Sequence, residues 1–196
     1  MKLITTVIST IIAIAIPIAS SASSWIIDPD HSNAGFTIRH MMVGNVQGCF
    51  QKMSGTVEIN DQDITKSSVD VSIDAGSIYT KVEKRDEHLR SADFFDVAKY
   101  PTITFVSKKV EKSGEDRLEV TGDLNLHGVT RQIVLDVKGP TNEIRDLLGH
   151  MRRGASAVTQ INRTDFGINW NKTLEAGGVA VGEEVMIGLE IEMIRK

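Results

Sequence analysis

"EEVMIGLEIEMIRK", residues 183–196, decides the fold. Val185, Ile187, Leu189, Ile191 and Met193 fall on one side of an extended chain, with Glu190 and Glu192 on the other. A period of two with one polar side marks an antiparallel strand that has one face in water. "SSVDVSIDA" (67–75) repeats the pattern with Val69, Val71 and Ile73 against Asp70, Ser72 and Asp74. So does "RQIVLDVKG" (131–139), through Ile133, Leu135 and Val137. "DRLEVTGDLNL" (116–126) does it through Leu118, Val120, Leu124 and Leu126, with Gly122 as the exception. "NAGFTIRH", "SGTVEIN", "PTITFVSKKVE" and "GASAVTQINR" bring the total to about eight runs. Asn60-Asp61, Ser113-Gly114 and His127-Gly128 supply turn chemistry between several of them.

Eight strands that each have one apolar face must bury those faces together. A sandwich or a closed barrel does so, and closure removes the exposed edges. The chain is all-β apart from one helix, expected near one end over about residues 81–92. Thr80-Lys81-Val82-Glu83 has the capping-box pattern. Val82, Arg85, Leu89 and Ala92 then fall on one helical stripe. Arg85 shares that stripe, so it either snorkels or finds a carboxylate, and a carboxylate partner is expected. Asp93-Phe94-Phe95-Asp96 reads as a turn that places one of its rings in the open end of a barrel, and Tyr100-Pro101 restarts an extended chain. The segment is expected to act as a lid with two inequivalent rings, one touching ligand and the other packing on the wall.

The 196 residues are 41% hydrophobic and 24% charged, enough for one domain with a real core. A formal net charge of −4 argues against nucleic acid as a partner. The opening "MKLITTVISTIIAIAIPIASSASS" has a lysine, an apolar stretch from Val7 to Ile18 and then small residues, the pattern of a signal peptide. Residues 1–22 are therefore expected to be cleaved near Ala22, with one exported domain over 23–196. Cys49 is the only cysteine, so no intrachain disulfide forms, and it reads as a small core residue.

No GxSxG, Walker loop, GxGxxG, CxxC or HExxH motif occurs, and Asp165-Phe166-Gly167 lacks every partner of a kinase signal. Among the five histidines, His31, His40 and His88 are the candidates for a metal or for acid–base work. They lack metal-ligand spacing and read as hydrogen-bonded structural residues. The residues thus point to neither catalysis nor a cofactor. Only 5% of the chain is aromatic and 16 residues are glycine, so few large side chains are available to fill a barrel.

"WIIDPDHSNAGFTIRHMMVGNVQGCF" (25–50) and "SIYTKVEKRDEHLRSADFFDVAKYPTITFVS" (77–107) resemble the YceI-like family, as do "VTGDLNLHGVTRQIVLDV" and "INRTDFGINW". The resemblance covers nearly the whole chain after residue 24. It departs at "RRGASA", where Ala155 stands in place of a frequent aromatic, and the segment from Asn142 to Arg153 is atypical. The resemblance implies an eight-stranded, antiparallel, lipocalin-like barrel in the periplasm. It also implies a long polyisoprenoid, polyprenyl pyrophosphate or quinone in an apolar bore, and often a homodimer. It carries over no metal and no catalytic residue. Phe36, Ile38, Phe94, Phe95, Phe105 and Phe166 are the expected ligand-binding residues, with His40 at the head group and Arg85, Asp86 and His88 in structural roles. The rival readings are an exported stress or interaction protein with a packed core, and a metalloenzyme built on His31, His40 and His88.

Overall fold

The computed structural model describes residues 22–175 and 177–196, so the expected signal segment lies outside the described residues but for Ala22. Among the described residues there are twelve strands: β1 Ser23–Ile27, β2 Asn33–His40, β3 Gly44–Phe50, β4 Met53–Ile59, β5 Ser68–Asp74, β6 Ile78–Tyr79, β7 Thr102–Lys112, β8 Arg117–Leu126, β9 Val129–Lys138, β10 Ile144–Arg145, β11 Met151–Asn162 and β12 Val181–Arg195. Three pairs of them are halves of single staves. β1 and β2 both pair with β12, while β4 pairs with β1 and β3 with β2; β5 continues on β4 and β6 on β3. β7, β8, β9 and β11 follow in order, and β11 closes on β12. The result is the expected eight-stave antiparallel barrel, in up-and-down order.

The first stave breaks at residues 28–32, where the chain turns. Ser32 bridges the gap: its hydroxyl donates to the Glu192 carbonyl at 3.1 Å and accepts from the Glu192 amide at 3.0 Å. The pairing of β1 and β2 with β12 therefore continues across the break, through the Asp28 amide on the Glu192 carbonyl at 2.8 Å and the Ser32 side chain in place of backbone at the Glu192 amide.

The two ends of the barrel differ. The terminus end carries Ser23, Arg195 and the 60–67 and 139–150 connections. Trp25 is fully buried there, with its indole N–H donating to Ser23 Oγ at 2.8 Å. The guanidinium groups of Arg153 and Arg195 lie 5.2 and 6.0 Å from its ring centroid. Both reach Glu143, and Arg153 also reaches Asp61 at 2.8 Å. The 142–153 segment is a hairpin built by β10 against the start of β11, which leaves Leu147 and Leu148 exposed at its tip.

The helix end carries the β2–β3 turn, the segments 93–101, 163–175 and 177–180, and α1 Glu83–Arg90, the single α-helix among the described residues. That helix is shorter than the expected 81–92. Its N-cap is Val82, with no side-chain cap, and Lys81 takes a positive φ of 68°. Thr80 does not cap because its groups are engaged elsewhere. Its amide and hydroxyl both donate to Asp86 Oδ1, at 2.9 and 2.5 Å, and it accepts from Arg85 through its hydroxyl at 2.7 Å and its carbonyl at 2.6 Å. Arg85 is thus held by Thr80, not by the carboxylate expected for it. Val82 and Ala92 are exposed, so Arg85 and Leu89 alone carry the expected stripe inward.

Gly122, the gap in the alternation of β8, is explained by Phe105 on the neighbouring strand. A Cβ at Gly122 would lie 2.4 Å from Phe105 Cζ and 2.6 Å from the Val106 carbonyl oxygen. The backbone oxygen cannot swing away, so even one methyl overpacks the wall. Gly122→Ala should lower stability by about 1–3 kcal/mol, read by urea unfolding, and should displace the Phe105 ring that lines the bore.

Candidate functional site

The barrel encloses a cavity of about 420 Å³. Its lining runs from Ile59, Leu118 and Met193 towards the terminus end to Leu89, Trp170 and Val181 at the helix end, so it spans the barrel lengthwise. The inward residues of β12 show what this does to packing. Val185, Ile187, Leu189 and Ile191 all line the cavity and are only half-buried, because they face open space rather than one another. Most of the lining is aliphatic or aromatic.

The charged lining is confined to one end and to one sign. Arg39, Arg85 and Arg163, together with His40 and His88, line the helix end; among the described residues no aspartate or glutamate lines the cavity. Arg39 and His40 are also the only lining residues that are exposed, which puts the mouth of the bore at the end of β2. Arg39 donates to the Met42 carbonyl at 2.8 Å and to Asn45 Oδ1 at 3.4 Å. Arg163 is buried and donates to the carbonyls of Gly182 at 2.8 Å and Ile168 at 2.5 Å. Burial pushes its pKa down from an ordinary value so high that it keeps its charge. None of the three arginines has a carboxylate partner among the described residues.

Phe36, Ile38, His40, Phe94, Phe95 and Phe105 all line the cavity. Phe166 is buried but does not line it. Asn162 accepts from the Thr164 amide at 2.9 Å and starts a short 3₁₀ turn, Arg163–Phe166, which takes Phe166 out of the strand alternation; its carbonyl lies 3.2 Å from His127 Nδ1. Phe94 and Phe95 both line the bore. They differ in packing. Phe94 is 7% exposed, edge-on to His88 at 5.0 Å and tilted against Trp170 at 5.1 Å. Phe95 is half-buried, edge-on to Phe50 at 5.5 Å. Asp86 is buried against Thr80, and His88 lies 2.9 Å from Asp93. Sequence reasoning did not single out Trp170, Arg39 or Arg163. Trp170 is one of only two tryptophans in the chain, the one available signal for it.

The three candidate histidines do not converge. His40 and His88 sit at the helix end, whereas His31 lies at the break between β1 and β2, 2.9 Å from Asp28. Among the described residues, one trio of potential metal ligands has its ligating atoms within 4.8 Å of one another: Asp28, His31 and Glu192. Arg152 already supplies the cation there. Its Nη1 lies 2.6 Å from Asp28 and 2.5 Å from Glu192, and its Nε lies 2.6 Å from Asp146. The arginine holds Asp28 down at about 2 and Asp146 well below the usual carboxylate range, while Asp28 raises the pKa of His31. The cluster ties β11 and β12 to the β1–β2 break and has no need of a metal ion.

Phe94→Ala should cost about 3–5 kcal/mol of stability and Phe95→Ala clearly less, compared by thermal melting. The Arg152 cluster gives a pH signature. A depressed carboxylate contributes stability that is complete above its unfolded pKa of about 4 and is lost as pH falls through the folded value, about 2 for Asp28. The stability gap between wild type and Arg152→Met, measured in urea, should therefore be widest near neutrality and shrink as pH falls through that window. His31 works in the opposite sense: its contribution is complete below about pH 6.5 and lost as pH rises past that value.

Three comparisons place this barrel. The YceI-like domain family matches residues 25–193. A UPF0312 protein of Vibrio cholerae is 38% identical over 157 residues, 79% of this chain and 82% of that protein. One from Staphylococcus aureus is 36% identical over 163 residues, 83% and 92% of the two chains. The crystal structure of a Campylobacter jejuni YceI protein is 30% identical with a TM-score of 0.67, covering 81% of this chain and 90% of that one. Burkholderia cenocepacia BcnA shares the fold at a TM-score of 0.73 and 22% identity, covering 85% and 98%. A polyisoprenoid binding domain from Saccharophagus degradans shares it at 0.65 and 16% identity, covering 89% and 99%. The chain belongs to the YceI-like family.

Proposed function

We propose that this protein binds one long-chain apolar lipid, a polyisoprenoid or a prenylated quinone, and carries or sequesters it outside the cytoplasm. One observation carries the reading: a continuous apolar bore that spans the barrel and holds its charged residues at a single mouth. That distribution fits an amphiphile with its tail inside and its head among Arg39, His40 and Arg85. Each buried methylene contributes about 0.8 kcal/mol, so a chain of several isoprene units offsets the cost of association. The polyisoprenoid binding domain of Saccharophagus degradans, which has the same fold, supports this choice of tail. The lysine, apolar stretch and small residues before Ser23 support export. The reading is one of binding, not catalysis.

Native mass spectrometry of delipidated protein offered a polyprenyl phosphate, a polyprenol or a prenylated quinone should show one adduct per protomer that organic solvent strips. Protein that takes up none of the three is not a carrier of this class. Ala155 gives a sharper test. It lines the bore on β11, beside the cluster around Trp25 and far from the mouth. Ala155→Phe should shorten the bore from its closed end. Affinity for long tails should fall while short tails bind as before, measured across a series of prenyl lengths.

A further inference from the structure

The turn between β2 and β3, His40–Val43, is tied into the fold by the Met41 amide, which donates to the Ala180 carbonyl at 2.8 Å, yet it has features that the bore does not require. Met41 and Met42 have φ values of +49° and +61°, and the Val43 amide donates to the His40 carbonyl at 3.1 Å. Those signs belong to a type I′ turn, where Asn-Gly is favoured and longer side chains are strained. The strained turn also holds apolar side chains in water. Met41 is 44% exposed, Met42 53% and Val43 82%. Strain and exposed apolar surface in one place mark a functional element.

Its position says which function. Arg39 and His40, the exposed residues of the mouth, lead directly into the turn. The Arg39 guanidinium reaches the Met42 carbonyl and has no carboxylate partner, so an unneutralised cation sits at the base of an apolar tip. We propose that this turn is a membrane-docking tip. Met41, Met42 and Val43 insert among the head groups of an anionic bilayer and Arg39 faces the phosphates, which sets the mouth of the bore on the lipid surface. The proposal rests on the lipid-binding reading for its purpose, although not for its geometry. A convex tip of three side chains is far smaller than the ~800 Å² per partner of a stable protein interface. It suffices for reversible adsorption to a bilayer, where shallow apolar insertion and one or two cations act together. The other exposed apolar tip, Leu147 and Leu148, lies at the terminus end beside Asp146 and Arg152, which are already in ion pairs, and adjoins no exposed lining residue.

The test uses lipid-free protein and flotation with vesicles of phosphatidylglycerol in phosphatidylcholine, against phosphatidylcholine alone, at low salt. Wild type should float with the anionic vesicles, and added salt should weaken it. The triple variant Met41→Asn, Met42→Gly, Val43→Ser gives the turn its preferred residues, so it should melt no lower than wild type. Its bound fraction should fall about tenfold. Leu147→Ser with Leu148→Ser should float as wild type does. Transfer of a polyprenyl phosphate from vesicles should slow in the triple variant, whereas loading from detergent micelles should not change. Wild type that does not float, or a triple variant that floats equally well, overturns the proposal. So does a wild-type dimer that the triple variant dissociates, since the tip would then be a contact between copies. Failure of every variant to load from micelles overturns the lipid-binding reading instead, and the flotation result still decides the tip.

Discussion

The structure depends on β12 being paired along both edges. One edge meets β11 from Arg152 opposite Ile194 to Asn162 opposite Glu184; the other meets β2 and then β1. With both edges occupied the sheet has no free rim at its seam, and every inward position is fixed by parity. A slip of one residue would turn Glu190 and Glu192 into the bore and Ile191 and Met193 into water. Closure therefore specifies the interior as strictly as it specifies the fold. At the break, residues 28–32, that edge of β12 keeps a backbone bond from the Asp28 amide to the Glu192 carbonyl at 2.8 Å. Ser32, hydrogen-bonded to both the amide and the carbonyl of Glu192, keeps it paired.

The barrel stays hollow because of how its aromatic residues are placed. Five of the six phenylalanines line the bore, yet two lie over glycines on a neighbouring strand: Phe36 over Gly48 and Phe105 over Gly122. A notional Cβ at Gly48 would be 2.5 Å from Phe36 Cζ, as one at Gly122 would be 2.4 Å from Phe105 Cζ. Each ring thus occupies volume that a wall residue would have filled. Most of the remaining lining is valine, isoleucine, leucine and alanine, too short to meet across an eight-stave barrel. The cavity follows from residue size and pairing, without any larger side chain being displaced.

Strand alternation is a local signal, so the staves and their inward faces were legible in the sequence. β5, β8, β9 and β12 can be read residue by residue, and even the gap at Gly122 marks where Phe105 lies. The helix was legible as an element but not in its capping. The capping-box pattern at Thr80 assumes that the hydroxyl is free for an amide of the first turn, and here Asp86 and Arg85 use it. Phe166 was misplaced for a similar reason: the alternation of β11 ends where the Asn162 side chain turns the chain, one residue before a 3₁₀ turn changes every direction. The mouth was the least legible feature. Arg39, Arg85 and Arg163 are 124 residues apart at their extremes in sequence, and only closure brings them to one end.

The two ends use arginine in opposite ways. At the terminus end every arginine in the network faces carboxylates: Arg152 meets Asp28, Asp146 and Glu192, while Arg153 and Arg195 share Glu143 over the face of Trp25. Charge is neutralised there and the end is sealed. At the helix end the three arginines that line the bore meet a hydroxyl, an amide oxygen and backbone carbonyls, which accept their hydrogen bonds but leave their charge in place. A positive mouth on a low-dielectric bore is asymmetric to any amphiphile. A tail gains by entering as far as Trp25 allows, and a polar or anionic head gains by stopping at Arg39. For an amphiphile of the kind proposed, one orientation would satisfy both, with the sealed end setting how long a tail fits and the unneutralised end where its head rests.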